Sequence, residues 1–403
     1  MKKSIAIIGS GPAALMLAAT LDEKLFNVTL YERNFAPARK FLVAGDGGFN
    51  LTHSETLEVF ISRYTPSTYL EKCIRSFTNQ DLQNWLKHIG IETYVGSSKR
   101  IFPVKEIKPI HVLNNILDLL KRKNAQFKMK HEWKGWNNKN ELLFYNESNE
   151  LSIHSDIVVF ALGGASWSKT GSDGEWTNYL KTRDIEIVPF QPSNCAFQID
   201  WDKNFILSYE GQPLKNIAVH CNGKEKKGEV VLTQFGIEGG AVYALSPEVR
   251  QQLNERGRAT IFIDLKPTMT LSEIENKVTS NAHRTISKTL DSIKLNKLQI
   301  ALLRSVLSKE DFTDTNILSK SIKQLPIQVS GMAPIDEAIS TVGGISLPET
   351  DEHFQLKKLP HHYAIGEMLN WDAPTGGYLL QACFSMGYYL GAKLNDEFDI
   401  ADK

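Results

Sequence analysis

Residues 4–8 read SIAII, an apolar β-branched run, and pass directly into Gly9-Ser10-Gly11-Pro12 and the apolar stretch AALMLAATL. A buried strand, a glycine turn and a helix in immediate succession leave few folds open. The spacing is Gly9-x-Gly11-x-x-Ala14. Gly9 permits the tight turn, Gly11 lets the backbone approach a pyrophosphate, and the small Ala14 allows the helix to pack close on the strand. Pro12 and Ala13 open that helix, whose free N–H groups favour an anion. NVTLYER (27–33) is the next strand, and Glu32 near its end stands 23 residues after Gly9, followed by Arg33. A carboxylate there accepts hydrogen bonds from ribose hydroxyls and repels a 2′-phosphate. The unit therefore reads as a β-α-β dinucleotide site that disfavours NADP.

At 403 residues the chain is longer than one hydrophobic core usually spans. Helical periodicity covers 67–88 and 108–122, and residues 125–155 read as a β-meander. DIVVFALGG (156–164) has the pattern of a buried strand ending in two glycines. Beyond Pro189 and Pro192 the chain alternates in the β manner through CAFQI, NIAVHC, GEVVLT and RATIFIDL, which suggests a sandwich or a barrel. Thr270 and Glu273 have capping-box spacing, and Ile274, Val278, Ala282, Ile286, Leu290 and Ile293 then recur on one helical face. Nucleotide-binding character returns at 338–347 and 362–394. The expected organisation is a dinucleotide-binding domain in two pieces, 1–188 and 337–403. An inserted domain over 189–336 separates them, β-rich at about 189–266 and 322–336 and helical at about 267–321.

Three further segments carry chemistry. ARKFLVAGDGGFNLTH (38–53) places Gly45, Gly47 and Gly48 in a loop of bare backbone that can lie against a flat ring or a phosphate. Arg39 and Lys40 precede this loop; Asn50, Thr52 and His53 beyond it offer polar contacts to a ring edge. FALGG (160–164) ends a strand with Ala161 and Gly163 at the turn. In IGEMLNWDAPTGGYLL, Gly366 and Glu367 end another strand, and Gly376, Gly377 and Tyr378 open an apolar helix. Amides at such a helix start favour negative charge, so they suit a reduced flavin, anionic at N1/C2=O, or a pyrophosphate.

The ordered set GSGPAA, ARKFLVAGDGGFNLTH, KRIFPV, ALGGASW, GEVVLTQFGIEGGA, TVGGI and GEMLNWDAPTGGYLLQACF resembles the BaiN-like, or aminoacetone-oxidase-type, bacterial flavoproteins. The likeness is greatest to the subgroup with a GGxNLTH loop. It spans nearly the whole chain and is weakest between about 265 and 325. The resemblance implies an α/β fold: an FAD-binding Rossmann-type domain of the two-dinucleotide-binding, glutathione-reductase-like class, with an inserted β-barrel and a small helical subdomain. It implies FAD contacts at Gly9, Gly11, Ala14 and Glu32 of the first motif and at Arg39, Lys40, Gly47, Gly48 and Asn50 of the loop. It implies others at Gly163, Glu367, Gly376, Gly377 and Tyr378, with backbone near Trp133 at the adenine. Pro12, Ala13, Arg33, Ala161 and Gly366, neighbours of these residues, complete the expected cofactor set. Two departures stand out: Leu162 replaces the usual Thr of an ATGG turn, and Phe49 replaces a Cys common in the wider family's loop.

Lys plus Arg and Asp plus Glu are 46 each, so nothing in the overall charge points to nucleic acid or an anionic membrane. Four dispersed cysteines without a C-x-x-C pair fit a reducing compartment and no zinc site. Lys2-Lys3 and the apolar run after them mimic a signal peptide, but Gly9, Gly11 and Pro12 break the run, and no later segment has the apolar length of a membrane span. A cytoplasmic protein is expected; no feature bears on its oligomeric state. His361-His362 point to opposite faces of a strand and cannot chelate together. Trp371, Tyr378, Arg100, Phe102 and His53 are candidates to line a pocket over the flavin, and no residue type or spacing marks a catalytic acid or base. The leading reading is an FAD-dependent oxidoreductase that passes hydride through flavin N5 to or from a small organic molecule. An RNA-modifying flavoprotein and a non-catalytic flavin-binding redox sensor are the alternatives. Residues 100–340 hold no second strand–GxGxxG–helix unit, so NAD(P)H is expected at most as a transient electron donor.

Overall fold

The computed structural model describes residues 1–43, 48–147, 149–280 and 286–401. The chain divides into two compact units, one of Met1–Gln191 with Ser340–Lys403 and one of Pro192–Ile339. These breaks fall slightly beyond those expected at 188/189, near the prolines, and at 336/337, where nucleotide-binding character returns. The cause is local: the strand that begins at Ile187 pairs with Ser340–Ile345, which keeps residues 187–191 with the first unit.

The first unit is built on a five-stranded parallel sheet in the order His362–Ala364, Ile157–Phe160, Lys3–Ile8, Phe26–Glu32, Gln126–Met129. Ile5, Ile7, Ile8, Val159 and Phe160 are almost wholly buried, as expected for strands covered on both faces. The helix Pro12–Thr20 packs against the C-terminal helix Tyr378–Ala401. Gly387 and Gly391, one turn apart, let these helices nearly touch: a Cβ at Gly387 would lie 2.4 Å from the Ala13 carbonyl oxygen. That contact ties the last helix to the helix of the first glycine motif.

The 125–155 region is not one meander. Lys130 takes a left-handed φ of 59° and breaks it. Gln126–Met129 joins the parallel sheet beside Phe26–Glu32, and Glu132–Trp136, Leu142–Asn146 and Asn149–Ile153 form a separate antiparallel sheet.

The second unit contains a seven-stranded antiparallel sheet ordered 325–329, 259–264, 213–221, 224–232, 236–238, 197–198, 331–332. Helices Leu271–Ser280, Ile286–Ser292, Lys297–Val306, Lys309–Thr313 and Thr315–Lys323 lie in sequence between strands 259–264 and 325–329 of this sheet. Ile274, Val278, Leu290 and Ile293 are buried in its core, whereas Ala282 lies outside the described residues. Thr270 and Glu273 form the expected reciprocal cap, with the Thr270 amide donating to Glu273 at 2.7 Å. The helix Ser246–Arg256 interrupts the β-alternating stretch.

Candidate functional site

The cleft of the first unit opens at the carboxyl ends of four parallel strands, where open α/β sheets place ligands. Two glycines with different duties begin it. Gly9 has φ +100°, and a Cβ there would sit 2.3 Å from the Ala161 carbonyl oxygen, so the turn and the neighbouring strand end touch. Gly11 caps the helix Pro12–Thr20, and a Cβ there would meet no atom of the described residues within 4 Å. The room it leaves belongs to the cleft, not to the core.

Around this turn the structure gathers Pro12, Ala13, Glu32, Arg33, Arg39, Lys40, Trp133, Ala161, Gly163, Gly366 and Glu367. Ala14 is buried behind them in the helix–sheet interface. Glu32 accepts from the Ser10 hydroxyl at 2.5 Å and from the Asn34 amide at 2.9 Å, which orients its carboxylate. Arg33 pairs with Asp173 at 2.7 Å, and Arg39 donates to Asn34 at 3.0 Å. Trp133 is packed against Phe160 and Tyr179, and its buried indole Nε1–H has no partner among the described residues. At the other side of the cleft Lys40 Nζ donates to Glu367 at 3.0 Å and to Ser166 at 2.8 Å, and the Thr341 amide donates to the same carboxylate at 3.1 Å. Cys383 also lines the cleft, but burial pushes its thiol up to about 12, so it is no thiolate nucleophile. Sequence reasoning missed Ser166, Asp173 and Thr341, whose roles depend on contacts with other segments, and Ser10 and Asn34, local polar residues that no motif marks.

Gly48, Asn50, Gly376, Gly377 and Tyr378 do not line this cleft, and Gly47 lies outside the described residues. They belong to a second cluster. Thr52–His53 pairs with Arg100–Ile101 in a short antiparallel sheet, and a Cβ at Gly48 would lie 3.4 Å from the Phe102 ring. Asn50 donates its amide to the Gly48 carbonyl at 2.9 Å. Gly377, at φ +94°, lies so close to Thr52 that a Cβ there would be 2.6 Å from the Thr52 Cα. Tyr378 donates its hydroxyl to Glu55 at 2.7 Å, and Arg63 holds the same carboxylate through two N–H groups. The His53 ring stacks on Tyr378 at 5.2 Å, with Nδ1 accepting from the Glu55 amide at 3.2 Å. Burial raises Glu55, but hydrogen bonds from Arg63 and Tyr378 and the Arg63 charge outweigh it and hold the group at about 2. Burial and the hydrogen bond to Glu55 push the Tyr378 phenol well up, and burial pulls His53 down. Glu55 and Arg63 carried no recognisable motif. Trp371, a candidate for the flavin pocket, is buried and donates to the Gly366 carbonyl at 2.9 Å, which makes it packing. Among the described residues no group of His, Cys, Asp or Glu is arranged to hold a metal, and no helix is long and apolar enough to cross a membrane.

This combination of parallel sheet, glycine turn, ribose-side carboxylate and strand-end cleft defines a Rossmann-type FAD-binding oxidoreductase. The chain belongs to the HI0933-like family: residues 3–393 match the HI0933-like protein Rossmann domain. It is 23% identical to the ribosomal RNA dihydrouridine synthase of Haemophilus influenzae, over 95% of this chain and 96% of that one. It is 22% identical to the 3-dehydro-bile acid delta(4,6)-reductase of Clostridium scindens, over 96% and 98% of the two chains. The fold is shared with 3-ketosteroid-delta4-(5alpha)-dehydrogenase from Rhodococcus jostii, at a TM-score of 0.50 and 9% identity over 98% of this chain and 96% of that one. The residues present fit FAD: Gly11 leaves backbone bare toward open space, and Trp133 offers a buried donor with no acceptor among the described residues.

Proposed function

We propose that the cleft seats FAD and that the chain uses it to reduce an activated carbon–carbon double bond in a small organic molecule. In this reading Gly9, Gly11, Pro12 and Ala13 take the pyrophosphate, Glu32 and Arg33 the adenosine ribose side, and the Trp133 region the adenine. Ala161, Gly163, Gly366, Glu367, Arg39 and Lys40 line the way to the flavin. Gly48, Asn50, Gly376, Gly377 and Tyr378 form the wall beside the ring in this reading; Gly47, expected with them, lies outside the described residues. Bound FAD supplies hydride chemistry at flavin N5. Saturating a double bond takes one hydride and one proton; Tyr378 is poorly suited to give the proton, since its hydroxyl is committed to Glu55. The observation that carries the cofactor assignment is Gly11, the one position in the turn whose missing side chain faces open cleft. The names of the two relatives support the reaction type, because a dihydrouridine synthase and a delta(4,6)-reductase both saturate such bonds.

Anaerobic single-turnover experiments test this. The chemically reduced holoprotein should regain its oxidised flavin spectrum on mixing with at least one α,β-unsaturated ketone or amide. Inertness toward all of them, with fast reduction of the oxidised flavin by alcohols or amines, would assign it to the oxidases or dehydrogenases instead. The Haemophilus relative favours a second reading, an RNA uracil as substrate. The balanced charge weighs against it, and loss of ribosomal dihydrouridine in cells lacking the protein would establish it. In either case any nicotinamide donor binds only transiently.

A further inference from the structure

Tyr378, the first residue of the C-terminal helix, is held at its hydroxyl, its carbonyl and its ring. The hydroxyl donates to Glu55 at 2.7 Å, and the carbonyl accepts from the buried Tyr64 hydroxyl at 2.8 Å. The ring lies on His53 at 5.2 Å and against Phe60 at 4.8 Å. Glu55 does not act alone. Arg63 grips both of its carboxylate oxygens, and its own amide donates to His53 Nδ1 at 3.2 Å. The same residue thus reaches the tyrosine through its side chain, and the ring stacked on that tyrosine through its backbone. Just before it in the chain, the Thr52 backbone lies too close to Gly377 to leave room for a Cβ.

These contacts tie together two segments that are remote in sequence, the 48–53 loop and the Gly376-Gly377 turn. Apolar side chains would secure a helix end as firmly, because an ion pair returns much of its Coulomb gain as desolvation. The Glu55 and Arg63 side chains are 15% and 33% exposed, so part of that cost applies to them. What a two-pronged guanidinium–carboxylate contact supplies in addition is direction. It fixes the carboxylate that the Tyr378 hydroxyl must reach. Hydrogen bonds from Arg63 and Tyr378 hold Glu55 at about 2, so the contact persists at neutral pH.

We propose that Glu55, oriented by Arg63, is a positioning residue for the flavin. Through Tyr378 it holds the Gly376-Gly377 turn in place, and so sets how strongly the first amides of the C-terminal helix favour the anionic reduced flavin over the oxidised one. This rests on the reading that the turn borders the flavin ring. An amide aimed at a developing negative charge stabilises it only while its direction is kept. A turn of two glycines at φ +116° and +94° has no side chains to keep it, and the tyrosine that follows does.

The midpoint potential of the FAD-loaded protein, measured anaerobically against a reference dye, tests this. Tyr378→Phe removes the hydroxyl and leaves the ring and the carbonyl contact in place. Its potential should fall, with affinity for reduced relative to oxidised FAD weakened about threefold or more, which for a two-electron couple is about 15 mV. In a Glu55→Ala background the same substitution should leave the potential where it is, because the hydroxyl has lost the group it acts through. Ser385→Ala removes a hydroxyl bond of the same kind further along the helix, to the Phe77 carbonyl at 2.7 Å. It should cost stability without moving the potential. An unchanged potential in Tyr378→Phe, an equal fall in Ser385→Ala, or an equal fall in Tyr378→Phe with and without Glu55 would overturn the proposal. So would loss of FAD from a folded Tyr378→Phe protein, since positioning for the reduced form leaves the oxidised form bound. Gly376→Ala separates such a failure from that of the underlying reading. If it alters the flavin band while Tyr378→Phe is silent, the turn borders the flavin and only the brace is rejected; if both are silent, the turn lies away from the flavin.

Discussion

The cleft and the cluster at the C-terminal helix are built in opposite ways. In the cleft, Gly9, Ser10, Gly11, Glu32 and Asn34 come from one strand–turn–helix–strand unit, and the parallel pairing of 3–8 with 26–32 alone brings them together. In the cluster, His53, Glu55, Arg63, Arg100, Gly376 and Tyr378 meet only because the chain returns after some 270 residues. The proposed cofactor cleft is thus local in sequence, whereas the second cluster depends on the whole first unit being folded.

The sharpest way to break this comparison is Gly9→Val. A side chain there collides with the Ala161 carbonyl and is strained by the positive φ, so it should destabilise the first unit by several kcal/mol, roughly 3 or more. Urea melts of the apoprotein read this directly, and a wild-type midpoint would show that the turn and the 157–160 strand do not touch. A smaller effect is expected from Lys40→Met, which leaves the Glu367 carboxylate without its cation but with the Thr341 amide. Lys40 is partly open to water, so the loss should be about 1–2 kcal/mol, again read from denaturant midpoints.

The smallest effect probes the cluster. Glu55 is held below its ordinary value, at about 2, so it stabilises the fold fully above the unfolded carboxyl range near 4.5 and loses that contribution as pH falls toward 2. Wild type should therefore lose stability more steeply than Glu55→Gln over that window, while the two curves run parallel above it. Curves parallel throughout would mean that the Arg63–Glu55–Tyr378 arrangement does not form in solution.

Much of the first unit was legible because its signals are short-range: strand runs, glycines at fixed offsets, a carboxylate at a strand end. Other signals were present and outweighed. The helix Ser246–Arg256 has Pro247 in its first turn and Gly257 just past its end, a proper start and stop, yet the alternating segments on both sides drew it into a β reading. The break at Lys130 had no marker, since a lysine at positive φ announces nothing in sequence; it follows from Lys130 and His131 donating their amides to the Asn34 and Glu32 carbonyls. The Lys40–Glu367 and Tyr378–Glu55 contacts join residues more than 300 positions apart, and no periodicity reports such a meeting.

The central claim is that bare backbone at Gly11 exists for FAD and for nothing within the protein. Its most direct test pairs the apoprotein melting temperature of Gly11→Val with the flavin released by heating that variant after reconstitution. Because a Cβ there meets no described protein atom within 4 Å, the apoprotein should melt within about 2 °C of wild type, as surface changes do. The wild type should release FAD and not FMN, and the variant should retain almost none. A variant that binds FAD like wild type, or one that loses FAD only because its apoprotein unfolds, would contradict the account.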